Sequence, residues 1–155
     1  MATNNVTRFL DSRKTDYTIF ELPQKKLGAE EVARILNAPI KIVFKSIVIL
    51  RKGSGKPILA VVPGDHAVNL KKLAKTVEEK KVSPASQKEA ENLTKLPAGG
   101  ISPLAILNRG FEIVIHQSVR EYENVHISGG ELGVNIRLPS RDLVELTRAK
   151  IADIC

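Results

Sequence analysis

Apolar residues recur along this chain with two spacings, and the switches between them lay out its elements. Val6, Phe9 and Leu10, followed by Arg13, keep helical spacing behind Asn4 or Asn5, either of which can cap a first helix. From Asp16 to Leu22 the spacing drops to two: Tyr17, Ile19 and Glu21 alternate with Thr18, Phe20 and Leu22, as in a strand. Helical spacing returns over about 29–37, where Val32, Ile35 and Leu36 form one stripe. Glu30 and Glu31 suit the positive end of that helix, and Pro39 stops it. Asn69 can cap a third helix over 70–77, with Leu70, Leu73, Ala74 and Val77 on its apolar side and Lys71, Lys72 and Lys75 opposite. Ser83 followed by Pro84 has the order of a cap and a first turn, which predicts a fourth helix over 84–94. Further on, 111–116 reads as a strand, and Val125 to Ser128 and Val134 to Leu138 flank a glycine-rich turn at 129–133. Ser140 caps a final helix whose stripe is Leu143, Leu146 and Ile151.

One run is apolar on both sides. Between Ile42 and Leu50, the residues Val43, Lys45, Ile47 and Ile49 share one strand face, while Phe44, Ser46, Val48 and Leu50 share the other. A strand covered on both faces has no cheap place for an ammonium, which needs a partner or a water-lined cavity. Lys45 therefore either faces a cavity or lays its stem along apolar surface and reaches water near the strand end. The run continues through Arg51-Lys52-Gly53-Ser54-Gly55-Lys56 into Pro57 to Pro63, a hairpin with a basic, glycine-rich tip.

Helices and strands thus alternate irregularly, with at least two hairpins and no internal repeat. The pattern predicts an α+β fold, a mixed β-sheet with hairpins flanked by helices, in a single domain over 1–155. A chain of 155 residues can bury such a core without staples. At 43% hydrophobic and 4% aromatic residues, with no Trp, the core rests on Val, Ile, Leu and Ala, and platforms for stacking bases are not expected. The excess of 24 Lys and Arg over 17 Asp and Glu favours polyanionic partners. Cys155 alone can make no internal disulfide, Met1 to Asn5 does not begin a secretion signal, and no stretch has the length to span a bilayer. A cytoplasmic protein without a membrane partner is expected.

Few chemistries survive the remaining motifs. Gly53-Ser54-Gly55-Lys56 is too short for a nucleotide-binding loop and joins two strands. His66, His116 and His126 lie far apart without ligands at metal-site spacing, so each reads as a surface or structural histidine, and neither metal nor cofactor is expected. There is no nucleophile elbow. What is left is Lys45, Ser46, the loop Gly99 to Pro103 and the turn Ser128-Gly129-Gly130, which together could make a small polar pocket. Both loops also read as ordinary turns, with glycine supplying positive φ and proline fixing the exit. In the functional reading, backbone N–H groups at Gly99 and Gly100 meet an oxygen anion, and the lysine opposite holds a phosphate or the substrate.

Phe44-Lys45-Ser46-Ile47, Gly99-Gly100-Ile101-Ser102-Pro103-Leu104 and Val125-His126-Ile127-Ser128-Gly129-Gly130, in this order, resemble the YbaK family of aminoacyl-tRNA deacylases. The same domain type is inserted in bacterial prolyl-tRNA synthetases. The resemblance implies a barrel-like mixed sheet and hydrolysis of the ester that joins a wrong amino acid, Cys or Ala above all, to the 3′ end of proline tRNA. Such editing is needed because a synthetase pocket gains only about 1–3 kcal/mol per methylene and cannot strongly reject small analogues. By the same resemblance Lys45 anchors the tRNA end or the substrate, and the amides of Gly99, Gly100 and Ile101 bind the developing oxyanion. An alkylammonium holds its proton at neutral pH and is a poor base. Ser46, Phe20, Ser102, Pro103, Ser128, Gly129, Gly130 and Asn135 fall on the substrate-binding positions, and the attacking water or thiol is activated by the substrate itself.

Two positions depart from the family pattern: Ser46 stands where threonine is common, and Asn135 where aspartate is usual. Ser46 keeps the hydroxyl, whereas Asn135 loses a charge and puts amino-acid specificity in question. Lys52, Lys56, Lys71, Lys72 and Lys75 are candidates for the tRNA backbone. The implied partners are the tRNA acceptor end and prolyl-tRNA synthetase. The alternative to an enzyme is a module of the same fold that binds tRNA or a synthetase without turnover.

Overall fold

A computed structural model describes residues 4–53 and 55–155. Its helices are α1 (Asn5–Ser12), α2 (Ala29–Leu36), α3 (Leu70–Thr76), α4 (Gln87–Thr94) and α5 (Ser140–Thr147). The predicted mixture of helices and hairpins is present, with the strands divided between two sheets. Strands β1 (Thr18–Glu21), β6 (Asn124–Ser128) and β7 (Val134–Pro139) form an antiparallel sheet in the order β1-β7-β6. Strands β2 (Phe44–Arg51), β3 (Ile58–Pro63), β4 (Val82–Pro84), β5 (Glu112–His116) and β8 (Lys150–Ala152) form a mixed sheet in the order β4-β2-β3-β5-β8. A bridge between Val43 and His126 joins the two sheets.

Every residue of β3 is buried, because the two faces of this central strand feed two cores. Leu59 and Val61, with Phe44 and Val48 of β2, meet Val125, Ile127, Ile136 and Leu138 of the small sheet, and α1 and α5 seal that core with Leu10 and Leu143. Ile58, Ala60 and Val62, with Ile49 and Val114, are covered by Leu73 and Ala74 of α3 and by Val77, which caps its C-terminus. The period of two thus sorts one apolar run into two layers.

Three elements differ from the sequence expectation. Val82-Ser83-Pro84 is an edge strand, paired to β2 through Ile49–Pro84, Leu50–Ser83 and Arg51–Val82, so α4 begins only at Gln87. Proline suits that edge because its missing N–H is not needed there. The start of α4 is a capping box: the Ser86 hydroxyl accepts from the Glu89 N–H at 3.1 Å, and the Glu89 carboxylate accepts from the Ser86 N–H at 2.9 Å. At the far end α5 stops at Thr147, where Arg148 turns left-handed with φ 53°, and Ile151 lies in β8, paired parallel to Ile115. Ser140 is the first residue of α5 and not its cap, which is Pro139; the Ser140 hydroxyl is buried with no partner among the described residues.

Elsewhere the caps sit where the pattern puts them. Asn4 accepts from the Thr7 N–H at 2.9 Å, Asn69 from the Lys72 N–H at 3.0 Å, and Asn37 ends α2 at φ 53°. Ile42 and Val43 precede β2, Ile42 in a short 3-10 turn. Ser54 of the hairpin tip and Met1 to Thr3 lie outside the described residues. Among the described residues no helix is long and apolar enough to cross a membrane.

Candidate functional site

The site forms where β4 stops. Because β4 pairs only with Ile49 to Arg51, the first half of β2 has no strand on that side. The Ala85 N–H donates to the Val48 carbonyl at 2.9 Å, which fixes the direction in which Val48 points its backbone. Alternation then turns the Ser46 N–H and C=O to the same free edge. A cavity of about 340 Å³ opens there, walled by Lys45 to Val48 of β2, the loop from Lys25 into α2, the start of α4, Gly99 and Ile101, and Ser128 and Asn135 of the small sheet.

Its charges are all of one sign. Lys25, Lys26 and Lys45 line it, and among the described residues no carboxylate, imidazole or thiol does. Lys45 is half-buried, and its ammonium donates to the Gly64 carbonyl at 3.3 Å. Lys26 donates to the Gln87 side-chain oxygen at 3.2 Å, and Lys25 is exposed.

The glycine loop is shaped by packing and leaves two amides free. Gly99 sits at φ +90°, and a Cβ there would stand 3.1 Å from Leu132 Cδ2, so this position needs glycine. Its carbonyl accepts from the Ser128 hydroxyl at 3.4 Å, tying the two glycine-rich loops together. Among the described residues nothing accepts from the N–H of Gly99 or of Ile101. Gly100 is a correction: its N–H donates to the Pro97 carbonyl at 2.9 Å, and its Cα is pressed against the Glu131 backbone, so this amide is already taken.

Other candidates stand outside the cavity wall. Ser102 is buried and its hydroxyl accepts from the Leu104 N–H at 3.3 Å, opening a 3-10 turn in which Pro103 is also buried. Gly129 donates to the Val134 carbonyl at 2.8 Å and Gly130 turns at φ +91° beside Val6, both as parts of the hairpin. Phe20, across from Asn135 on β1, packs its ring against both His126 and the Arg137 guanidinium, 5.5 Å from each. Lys52 and Lys56 sit at the opposite end of β2, roughly 23 Å from Lys45 at about 3.3 Å per residue. Lys71, Lys72 and Lys75 belong to α3, and the Lys72 ammonium is held by Asp153 and the Cys155 carbonyl, each at 2.8 Å.

Sequence reasoning missed three residues. Lys25 and Lys26 reach the cavity from the loop ahead of α2, where only their adjacency marks them. His126 is buried, with its Nδ1 2.9 Å from the Asn135 Oδ1. Burial pushes its pKa below the ordinary histidine value; the Asn135 hydrogen bond opposes that and the Arg137 charge adds to it. The signal was available in the strand period, since Val125 and Ile127 face the core and so turn His126 and Ser128 to the other side. His66 and His116 bond Asp65 at 2.8 Å and Ser118 at 2.9 Å.

The arrangement offers a cation and free N–H donors to an oxygen anion, and it offers no base. Among the described residues of the wall, the Ser46, Ser86 and Ser128 hydroxyls find no base to activate them.

The chain matches the model of the aminoacyl-tRNA editing domain over residues 24–146. It is 31% identical, over 97% of its own length and 92% of the relative's, to a protein of Enterococcus faecalis that carries the provisional name Cys-tRNA(Pro)/Cys-tRNA(Cys) deacylase EbsC. It is 26% identical to the prolyl-tRNA editing protein ProX of Acetoanaerobium sticklandii, over 90% of this chain and 87% of that one. The crystal structure of a hypothetical protein superposes with a TM-score of 0.89 at 23% identity, covering 97% of this chain and 99% of that one.

Proposed function

The chain belongs to the aminoacyl-tRNA editing domain family, and from that premise we propose that it is a trans-editing deacylase acting on misacylated tRNA, with Cys- or Ala-charged proline tRNA as substrate. The observation that carries this reading is the composition of the cavity: three lysines, the two free N–H groups of Gly99 and Ile101, and, among the described residues, no carboxylate, imidazole or thiol. Such a wall suits a polyanion whose terminal ester is to be split.

In the proposed step a water oxygen bonds to the ester carbonyl carbon, and the carbonyl electron pair moves onto its oxygen, where the Gly99 and Ile101 N–H groups receive it. Collapse of this intermediate breaks the bond to the ribose oxygen, which leaves with the proton given up by the water. The products are the free amino acid and a tRNA with a free terminal hydroxyl. Lys45 anchors the substrate by charge. Lys25 and Lys26 meet phosphates at the cavity mouth, and the lysines of α3 and of the hairpin tip reach phosphates farther along the tRNA.

The test is deacylation of Cys-, Ala- and Ser-charged proline tRNA by the wild type and by Lys45→Ala. The variant is expected to lose about 10- to 100-fold in kcat/KM, the scale of one lost hydrogen bond to a charged group. Equal rates for the two proteins would refute the assigned site. Binding of tRNA with no turnover of any charged form would make the chain a binding module instead.

A further inference from the structure

The small sheet contains a polar pair that the proposed reaction does not use. His126 of β6 and Asn135 of β7 lie diagonally across the hairpin on the face turned away from the core, since Ser128 stands directly opposite Asn135. Both are buried, at 3% and 5% exposure, although both are polar. Only Asn135 lines the cavity. The imidazole is fixed from three directions: the Val43 bridge holds its backbone, the Phe20 ring packs on it at 48°, and its Nδ1 bonds the Asn135 Oδ1 at 2.9 Å.

A carboxamide is planar and carries its oxygen and its NH2 on opposite sides. With the Asn135 oxygen turned back to accept from the His126 Nδ1–H, the NH2 is left on the other side, and no acceptor among the described residues reaches it. We infer that His126 is a positioning residue: by holding the Asn135 oxygen it presents the Asn135 NH2 to the cavity, where that donor favours aminoacyl groups whose side chain carries a hydroxyl. An aspartate in this place would offer an oxygen and favour a donor, so the substitution inverts the polarity of this part of the wall. A ligand methyl group that covers this donor strips it of water and leaves it unsatisfied, whereas a hydroxyl oxygen satisfies it, and a thiol does so weakly. Seryl groups are therefore preferred over alanyl groups by on the order of tenfold, which adds Ser, ahead of Ala, to the substrates proposed above. This inference rests on the deacylase reading for the identity of its ligand and not for the geometry of the pair.

The experiment has two arms, both free of turnover. Long-range 1H–15N correlation spectra of the full chain read the tautomer of His126, whose signals are those missing from His126→Phe. The Nδ1–H tautomer is expected, returning to the Nε2–H form favoured in water when Asn135→Leu removes the acceptor. An Nε2–H tautomer in the wild type would mean a carboxamide rotated by half a turn and would overturn the proposal. In the second arm, 3′-serylamino- and 3′-alanylamino-3′-deoxyadenosine, whose amide linkage resists hydrolysis, are titrated by calorimetry. The seryl compound is expected to bind about tenfold more tightly to the wild type and equally to the alanyl compound in His126→Phe and Asn135→Leu. Equal affinities in the wild type, or an unchanged preference in Asn135→Leu, would overturn the selection. A wild type that shows the preference yet hydrolyses no charged tRNA would refute the deacylase reading alone.

Discussion

Gly129 tests whether the second glycine turn is there for chemistry or for packing. A Cβ on this residue would collide with Val134 Cγ1 and stand 3.1 Å from Val134 Cβ. The backbone cannot move aside cheaply: the Gly129 N–H donates to the Val134 carbonyl at 2.8 Å, and the Gly129 carbonyl accepts from the Asn4 side chain at 2.9 Å. Gly129→Ala should therefore cost about 1–3 kcal/mol as an overpacked core. Val134→Ala removes two methyl groups from a residue 7% exposed and should cost about 1–2 kcal/mol by lost burial and the space left behind. In the double variant the new methyl occupies the space that Val134 vacates, so the total should be about 1–2 kcal/mol, well below the sum of the two. Urea unfolding of the four proteins, compared at constant m-value, gives the coupling energy directly. A double variant additive to within about 0.5 kcal/mol would refute the packing account and leave Gly129 open to a role in binding.

Acid should destabilise the fold through His126: its native pKa lies below the ordinary value because of burial, so below about pH 6.5 the unfolded chain binds a proton that the native one refuses. Stability is then full above that pH and falls as pH drops through the window beneath it, which urea midpoints between pH 7.5 and 5 would follow; an equal decline in His126→Phe would refute the assignment. Removing the lysines at the cavity mouth with Lys25→Ala and Lys26→Ala together should make the salt dependence of tRNA binding shallower by roughly 1.5 in log–log slope, at about 0.7–0.9 per phosphate contact. An unchanged slope in filter binding from 50 to 300 mM salt, on the order used for such titrations, would place the tRNA elsewhere. Ser140→Ala deletes a buried hydroxyl without a partner, so thermal unfolding should show a change between zero and a gain of about 1 kcal/mol; a clear loss would show that the hydroxyl has a partner in solution.

What could be read from the sequence was whatever depends on one strand or one turn. The alternation in β2 places Lys45 in a doubly covered strand, and Asn4 and Asn69 each act within four residues of their own position. The free edge beside Lys45 was not legible, because it exists only since Val82 to Pro84 pairs with the far half of β2 and not the near half. Ile151 keeps helical spacing from Leu143 and misleads for the same reason: nothing local says that 150–152 will complete a sheet beside β5. The Gly99-Gly100 pair marks a loop, but which amide remains free was decided by the Pro97 carbonyl. The His126–Asn135 bond needs only the hairpin register, and the alternation of Val125 and Ile127 contained it.

The glycines of both loops have packing reasons that require no substrate: Gly99 and Gly100 lie against Leu132 and Glu131, and Gly129 against Val134. Their presence cannot by itself distinguish a turn from a binding site, and the free polar groups can. Here the N–H groups of Gly99 and Ile101, the Ser46 edge of β2 and the Asn135 NH2 all belong to one cavity wall, beside three lysines and no carboxylate. A wall that concentrates donors and positive charge in this way is matched by a ligand rich in oxygen acceptors. That concentration of donors without a protein acceptor makes the cavity, and not the glycines, the feature from which function is argued.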